Sequence, residues 1–178
     1  MDAKPVPAYA DLAQPVRLVS RGPVATRRIG RLLGERLQPG DVVLLEGPLG
    51  AGKTCFAQGL AVGLEVPAGT QVSSPTFALV HQHQGRLLLL HADLYRLEHA
   101  EEIRELGLWE ALAAGAVLVI EWASRFPYEL PTDHLIAELL PGQGLYRQVT
   151  LRASGKKSST RLQSLLGMWP TERRRHRE

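Results

Sequence analysis

Cysteine is almost missing from this chain of 178 residues; Cys55 is the only one. A lone thiol excludes an internal disulfide and fits a reducing compartment, so a cytoplasmic location is expected. Long apolar runs are missing too. None approaches the roughly 20 residues that a membrane-crossing helix needs, and no membrane contact is expected. The opening stretch MDAKPVPAYADLAQP has no apolar centre, so no secretory signal is expected there. Nor is there a large excess of one charge. A formal net charge of +3 permits contact with nucleic acid without arguing for it. No internal repeat is visible. What remains is 44% hydrophobic and 22% charged, the balance of a soluble globular chain, and its length suits one domain with a genuine core.

One stretch organises the rest. GPLGAGKT, from Gly47 to Thr54, fits G-x-x-x-x-G-K-[ST] at every fixed position, the spacing of a phosphate-binding P-loop. Gly47, Gly50 and Gly52 carry no Cβ, so the backbone can wrap closely round a phosphate. Successive N–H groups from Gly47 through Leu49, Gly50, Ala51, Gly52, Lys53, Thr54 and Cys55 then form an anion nest. Lys53 adds a mobile positive charge for the β- and γ-phosphates. Thr54 offers a hydroxyl to Mg²⁺, which takes few protein ligands and keeps several waters. The context supports the motif. Asp41 to Glu46 reads as a buried parallel strand, and Phe56, Leu60, Ala61 and Leu64 recur at helical spacing. That order places the phosphates at a helix N-terminus.

Taken in order, residues 1 to about 15 read as a loose, Pro- and Ala-rich leader. Val16 to Val19 suits a short edge strand. Ser20 to Pro23 starts a helix whose apolar stripe is Ile29, Leu32, Leu33 and Leu37, and Gln38-Pro39-Gly40 stops it. Beyond the P-loop helix, Thr76–Val80 and Arg86–His91 predict a β-hairpin about Gln84-Gly85. Short helices follow, ending at Gly107 and Gly115. Ala116 to Ile120 is a second fully buried strand. His134–Leu140 and Leu145–Leu151 predict a second hairpin. Leu162, Leu165, Leu166 and Trp169 form a small helical stripe. The terminal TERRRHRE reads as a disordered, solvated tail, with contact to tRNA as its functional alternative.

Hydrolysis requires an acid beside the phosphates, usually at the end of a neighbouring buried strand. Glu121 follows five apolar residues, and Asp93 ends the run from Arg86 to Ala92. Either carboxylate alone could simply face solvent; beside a P-loop, one of the two is expected to act. Ser73-Ser74-Pro75-Thr76 is either a hydroxyl-rich loop that senses the γ-phosphate and Mg²⁺ or a Pro-containing turn with capping hydroxyls.

The succession GPLGAGKT, SPTFALV (74–80), HADLYRL (91–97) and VIEW (119–122) resembles the TsaE family, also called YjeE. These are small P-loop ATPases of the bacterial pathway that makes threonylcarbamoyladenosine (t6A) in tRNA. The resemblance covers about residues 20 to 150. It implies that Lys53 and Thr54 bind phosphate and Mg²⁺, that Glu121 is a further Mg²⁺ ligand, and that Asp93 is needed for ATP turnover. It places Thr76 in a switch-like loop and Trp122 beside the site. Arg147, in Gly144-Leu145-Tyr146-Arg147, matches a later Gly-Arg element loosely, and by that match it is expected to meet the nucleotide. The resemblance further implies slow ATP hydrolysis alone and action on a complex of TsaD and TsaB, with tRNA met through that complex; oligomeric state is left open.

The chain departs from the family pattern at Pro48, where Asp is usual, at Cys55, where a second Thr is usual, and at His83, where an aromatic is common. Pro48 removes one loop N–H. Cys55 is most simply a small filler. The expected architecture is an α/β, three-layer P-loop NTPase-like domain. Its sheet is mainly parallel, with antiparallel hairpin strands added. The expected division is a flexible leader at 1–19, the ATPase domain at 20–153, and a basic, partly disordered extension at 154–178. Two rivals use the same loop: a small-molecule kinase and a non-catalytic, nucleotide-gated binding module. A kinase needs an arginine-bearing lid, and no clear lid segment is present. A GTPase is disfavoured because no Asn-Lys-x-Asp motif occurs.

Overall fold

Strands β1 (Val16–Ser20), β2 (Val42–Glu46), β3 (Val80–Gln84), β4 (Leu88–Asp93), β5 (Val117–Glu121), β6 (Leu135–Pro141) and β7 (Arg147–Ala153) join in one sheet. Its order is β1-β7-β6-β2-β5-β4-β3. This is the arrangement in a computed structural model that describes residues 14–166. Pairings β6–β2, β2–β5 and β5–β4 are parallel, while β7 runs against both β6 and β1. The outermost strand, β3, runs against β4. Only β3 and β7 therefore oppose the common direction, and the expected α/β architecture with a mainly parallel sheet is present.

The central strands read as continuous apolar runs because both of their faces are covered. Val43 and Leu45 of β2 and Val117 and Val119 of β5 face one core, shared with α1 (Pro23–Gly34), α2 (Lys53–Gly63) and α5 (Lys156–Leu166). The alternate residues Val42, Leu44, Leu118 and Ile120 face a second core with α3 (Ala100–Glu105) and α4 (Leu108–Ala113). The period of two along each strand thus divides the chain into three layers.

Four glycines bring α1 against α2. A Cβ on Gly30 would lie 2.3 Å from the Phe56 carbonyl oxygen, and one on Gly34 would lie 2.5 Å from that of Leu60. In the other direction, Gly59 would meet the Arg27 oxygen at 2.2 Å and Gly63 the Arg31 oxygen at 2.3 Å. Each helix carries its pair four residues apart, on one face, so the two backbones touch along a full turn. This crossing fixes where α2, and the loop that starts it, stand over the sheet.

The fold moves some expected boundaries. The strand expected at Thr76–Val80 begins only at Val80, and its partner ends at Asp93. Thr76 to Leu79 is a turn instead: the Leu79 N–H donates to the Pro75 oxygen at 2.6 Å, and Leu79 takes a positive φ of 63°. The boundary expected at residue 19/20 falls inside β1, because Val16 and Leu18 are buried against β7. Residues beyond 153 also join the body. Asp133 caps α5 by accepting the N–H groups of Lys157 and Ser158, and Leu162 and Leu165 enter the core. The loose residues expected before 14, Trp169 and the tail TERRRHRE lie outside the described residues.

Candidate functional site

The P-loop joins the end of β2 to the start of α2. Gly47 has φ 137°, and a Cβ there would lie 2.2 Å from the Leu139 oxygen, so the turn leaving β2 admits glycine alone. Gly50 and Gly52 also have positive φ, at 75° and 106°. Lys53 is the first residue of α2 and is 6% exposed. Its ammonium donates to the Gly47 oxygen at 2.8 Å and the Pro48 oxygen at 3.1 Å. It also sits 4.1 Å from the centroid of the Trp122 ring. Burial lowers the Lys53 pKa, and the charges of Glu121, Asp93 and Glu46 oppose that shift.

The two acids are brought together by the sheet. Asp93 ends β4, Glu121 ends β5, and the parallel register sets them side by side. Each is 2% exposed. Asp93 is held at both oxygens. Oδ2 accepts the Ser74 hydroxyl at 2.8 Å and the Thr76 hydroxyl at 2.9 Å, and Oδ1 accepts the Tyr95 N–H at 2.9 Å. The hydroxyl-rich loop is therefore latched to the strand end. Glu121 is held from inside the sheet, with its Oε1 2.9 Å from His91 Nε2.

One cavity of about 470 Å³ joins these groups. Leu49, Gly50, Gly52, Lys53, Thr54 and Cys55 line it from the loop and α2; Ser74, Thr76, Asp93, Tyr95, Glu121 and Trp122 line it from the sheet side. Three expected residues stand elsewhere. Gly47 serves through its carbonyl, and the Ala51 side chain is buried beneath the loop. Arg147, expected to meet the nucleotide, does not line the cavity. Its guanidinium donates to the carbonyls of Ala51, Gly144 and Tyr146, so it braces the loop from the β6–β7 connection.

His91, Ser74, Tyr95 and Glu46 were not singled out individually by the motifs. His91 had a signal: it lies two residues before Asp93 and so shares its face of β4. Glu46 had none, because a carboxylate at a strand end ordinarily faces water. Here it accepts the Ser124 N–H at 2.8 Å and the Ser124 hydroxyl at 2.9 Å. Burial raises its pKa, against the lowering effects of those bonds and of Lys53.

The donor set suits a phosphate chain with a hard cation. The loop glycines form the concave backbone an anion needs, and Thr54 and Glu121 offer oxygen ligands in the same cavity. Among the described residues no cluster of three or more His, Cys, Asp or Glu side chains is suited to hold a metal. A cation here would need phosphate and water oxygens as well, which is the habit of Mg²⁺.

Comparison with known proteins agrees. The family model "Threonylcarbamoyl adenosine biosynthesis protein TsaE" matches residues 20–149. The chain belongs to the TsaE family. A tRNA threonylcarbamoyladenosine biosynthesis protein TsaE from Treponema pallidum is 45% identical over 116 residues, covering 65% of this chain and 84% of that protein. The Bacillus subtilis protein of the same name is 38% identical over 136 residues, covering 76% and 84%. The crystal structure of Bacillus subtilis YdiB superposes with a TM-score of 0.72 at 29% identity, covering 86% of this chain and 95% of that one. The fold is thus that of a TsaE-family protein, and the P-loop cavity lies within the matched span.

Proposed function

We propose that this chain binds Mg·ATP in the P-loop cavity and hydrolyses it slowly, as the ATPase component of tRNA t6A modification acting on a complex of TsaD and TsaB. The observation that carries the reading is the single cavity in which Lys53 and Thr54 face two shielded carboxylates, Asp93 and Glu121. Membership of the TsaE family supplies the pathway. The TsaD–TsaB complex is the partner that the family resemblance implies, and tRNA is met through it. A cytoplasmic location accompanies this role.

In this reading the loop N–H groups and Lys53 hold the β- and γ-phosphates. Thr54 and Glu121 would hold Mg²⁺, which would supply neutralisation of the phosphate charge. Lys53 must leave the Gly47 and Pro48 carbonyls to reach a phosphate, exchanging two neutral acceptors for an anionic one. Asp93 orients the attacking water, and the Ser74 and Thr76 hydroxyls it now holds become free to turn toward the phosphates. Arg147 keeps the Ala51 carbonyl, and with it the loop, in place.

Among the described residues no arginine lines the cavity, which disfavours the kinase alternative. The latch of Ser74 and Thr76 on Asp93 favours a second reading, a nucleotide-gated module whose loop changes partner when nucleotide enters. ATP turnover with and without purified TsaD–TsaB and tRNA separates the two. Partner-stimulated phosphate release supports the ATPase. Mg·ATP binding with no release under either condition selects the module. Absence of nucleotide binding rejects both.

A further inference from the structure

Glu46 is a half-buried carboxylate that the proposed chemistry does not use. It ends β2, one residue before the P-loop, yet its side chain reaches the turn after β5. One oxygen accepts the Ser124 N–H and the other accepts the Ser124 hydroxyl. Two bonds from two oxygens fix both the position and the rotation of the short 3₁₀ turn Ala123–Arg125. Arg125 ties the same turn to the segment that follows β4 through the carbonyls of Leu94 and Tyr95.

This turn begins at Trp122, whose backbone has φ 61° and ψ 28°. A bulky residue in the left-handed region is strained and persists only where its surroundings impose it. Its indole covers the Lys53 ammonium at 4.1 Å and packs on Tyr95, with ring centroids 5.1 Å apart. Tyr95 in turn donates its N–H to Asp93. The anchor of the strained residue is therefore connected, contact by contact, to the P-loop lysine and one site acid.

We propose that Glu46 is a positioning residue: by clamping Ser124 it holds Trp122 in its left-handed conformation, with the indole placed over Lys53 at the wall of the phosphate site. The clamp is made of the chain's own groups alone. Its consequence for ATP affinity rests on the reading above. Shielding costs the carboxylate solvation, and the two Ser124 bonds and the nearby Lys53 charge offset part of that cost.

The test uses the full chain with Trp109 and Trp169 changed to Phe, so that Trp122 is the remaining indole. Without nucleotide, E46A is expected to raise acrylamide quenching of Trp122 at least two-fold. S124A, which removes one of the two bonds and disturbs folding less, is expected to raise it to a smaller extent. E46Q keeps an acceptor for the N–H and offers an amide donor to the hydroxyl, so quenching close to that of the parent is expected. Calorimetric titration with Mg·ATP is expected to show affinity about ten-fold weaker in E46A and largely retained in E46Q. Unchanged quenching in both E46A and S124A overturns the clamp. So does an E46Q protein that matches E46A, because charge and not the paired hydrogen bonds would then be responsible. If the parent binds no Mg·ATP while E46A still loosens Trp122, the clamp stands and the nucleotide reading falls.

Discussion

His91 Nε2 stands 2.9 Å from Glu121 Oε1, with both side chains at most 3% exposed. His91 Nδ1 has no hydrogen-bond partner. A proton on Nε2 donates to the carboxylate and leaves Nδ1 with only a lone pair unmet, the less costly arrangement in a buried setting. One oxygen of Glu121 is thereby fixed from within the sheet, and Glu121 is among the residues that line the cavity. Partners of this kind orient metal-binding carboxylates, and their loss typically costs about 10- to 100-fold in metal affinity. His91→Leu is expected to weaken Mn²⁺ binding, measured by electron paramagnetic resonance with ADP present, by about ten-fold. His91→Gln, which keeps a donor, should lose less. Equal Mn²⁺ affinity in wild type and His91→Leu would show that the pair serves packing alone.

Replacing Lys53 with Ala removes the ammonium from the loop that it now bridges. Charge-assisted bonds to phosphate are among the strongest available to a side chain. The expected result is loss of tight ATP binding, by about 100-fold or more, in a calorimetric titration. Retained affinity would mean that the loop is a structural turn.

The two acids should separate. Glu121 is oriented by His91, while Asp93 accepts two hydroxyls and an amide. Glu121→Gln is expected to weaken Mg·ATP binding. Asp93→Asn is expected to leave binding largely intact and to stop hydrolysis, since a water-positioning group acts on the transition state. Loss of Mg·ATP affinity in Asp93→Asn with retention in Glu121→Gln would reverse the roles. If neither change lowers turnover with the partner complex, the gated module is the better account.

The α1–α2 crossing makes a prediction remote from the chemistry. Gly59→Ala places a methyl group where the Arg27 carbonyl oxygen would be 2.2 Å away. The neighbour is backbone, so relief requires the helices to separate. Overpacking of this kind costs about 1–3 kcal/mol. For a protein of this size that corresponds to a melting temperature lower by roughly 2–12 °C. A calorimetric scan of Gly59→Ala matching wild type would mean that the crossing yields easily.

Much of this was legible in the chain. Gly47 to Thr54 specified a phosphate loop because its function depends on local backbone freedom and on residues adjacent in sequence. The apolar runs before Asp93 and Glu121 marked both acids, since a buried strand has to end where polar groups begin. The hairpin start was misplaced by four residues. Thr76 to Leu79 has the composition of a strand, yet its conformation is set by a bond from Thr76 to Asp93, seventeen positions away.

The sequence by itself determined the elements, the P-loop, the candidate acids and the family, because each is encoded by neighbours or by periodicity. Strand order was decided only by the tertiary structure. Placing β4 beside β5 brings Asp93 level with Glu121, and a one-residue slip would send one of them to the opposite face. Contacts between elements far apart in sequence likewise assigned His91 to Glu121, turned Arg147 toward the Ala51 carbonyl, and joined Glu46 to Ser124 beyond the neighbouring strand. The physical reason is common to all three. A polar group drawn even partly out of water is met by whatever donor or acceptor the fold brings within reach, and that partner has no fixed separation along the chain.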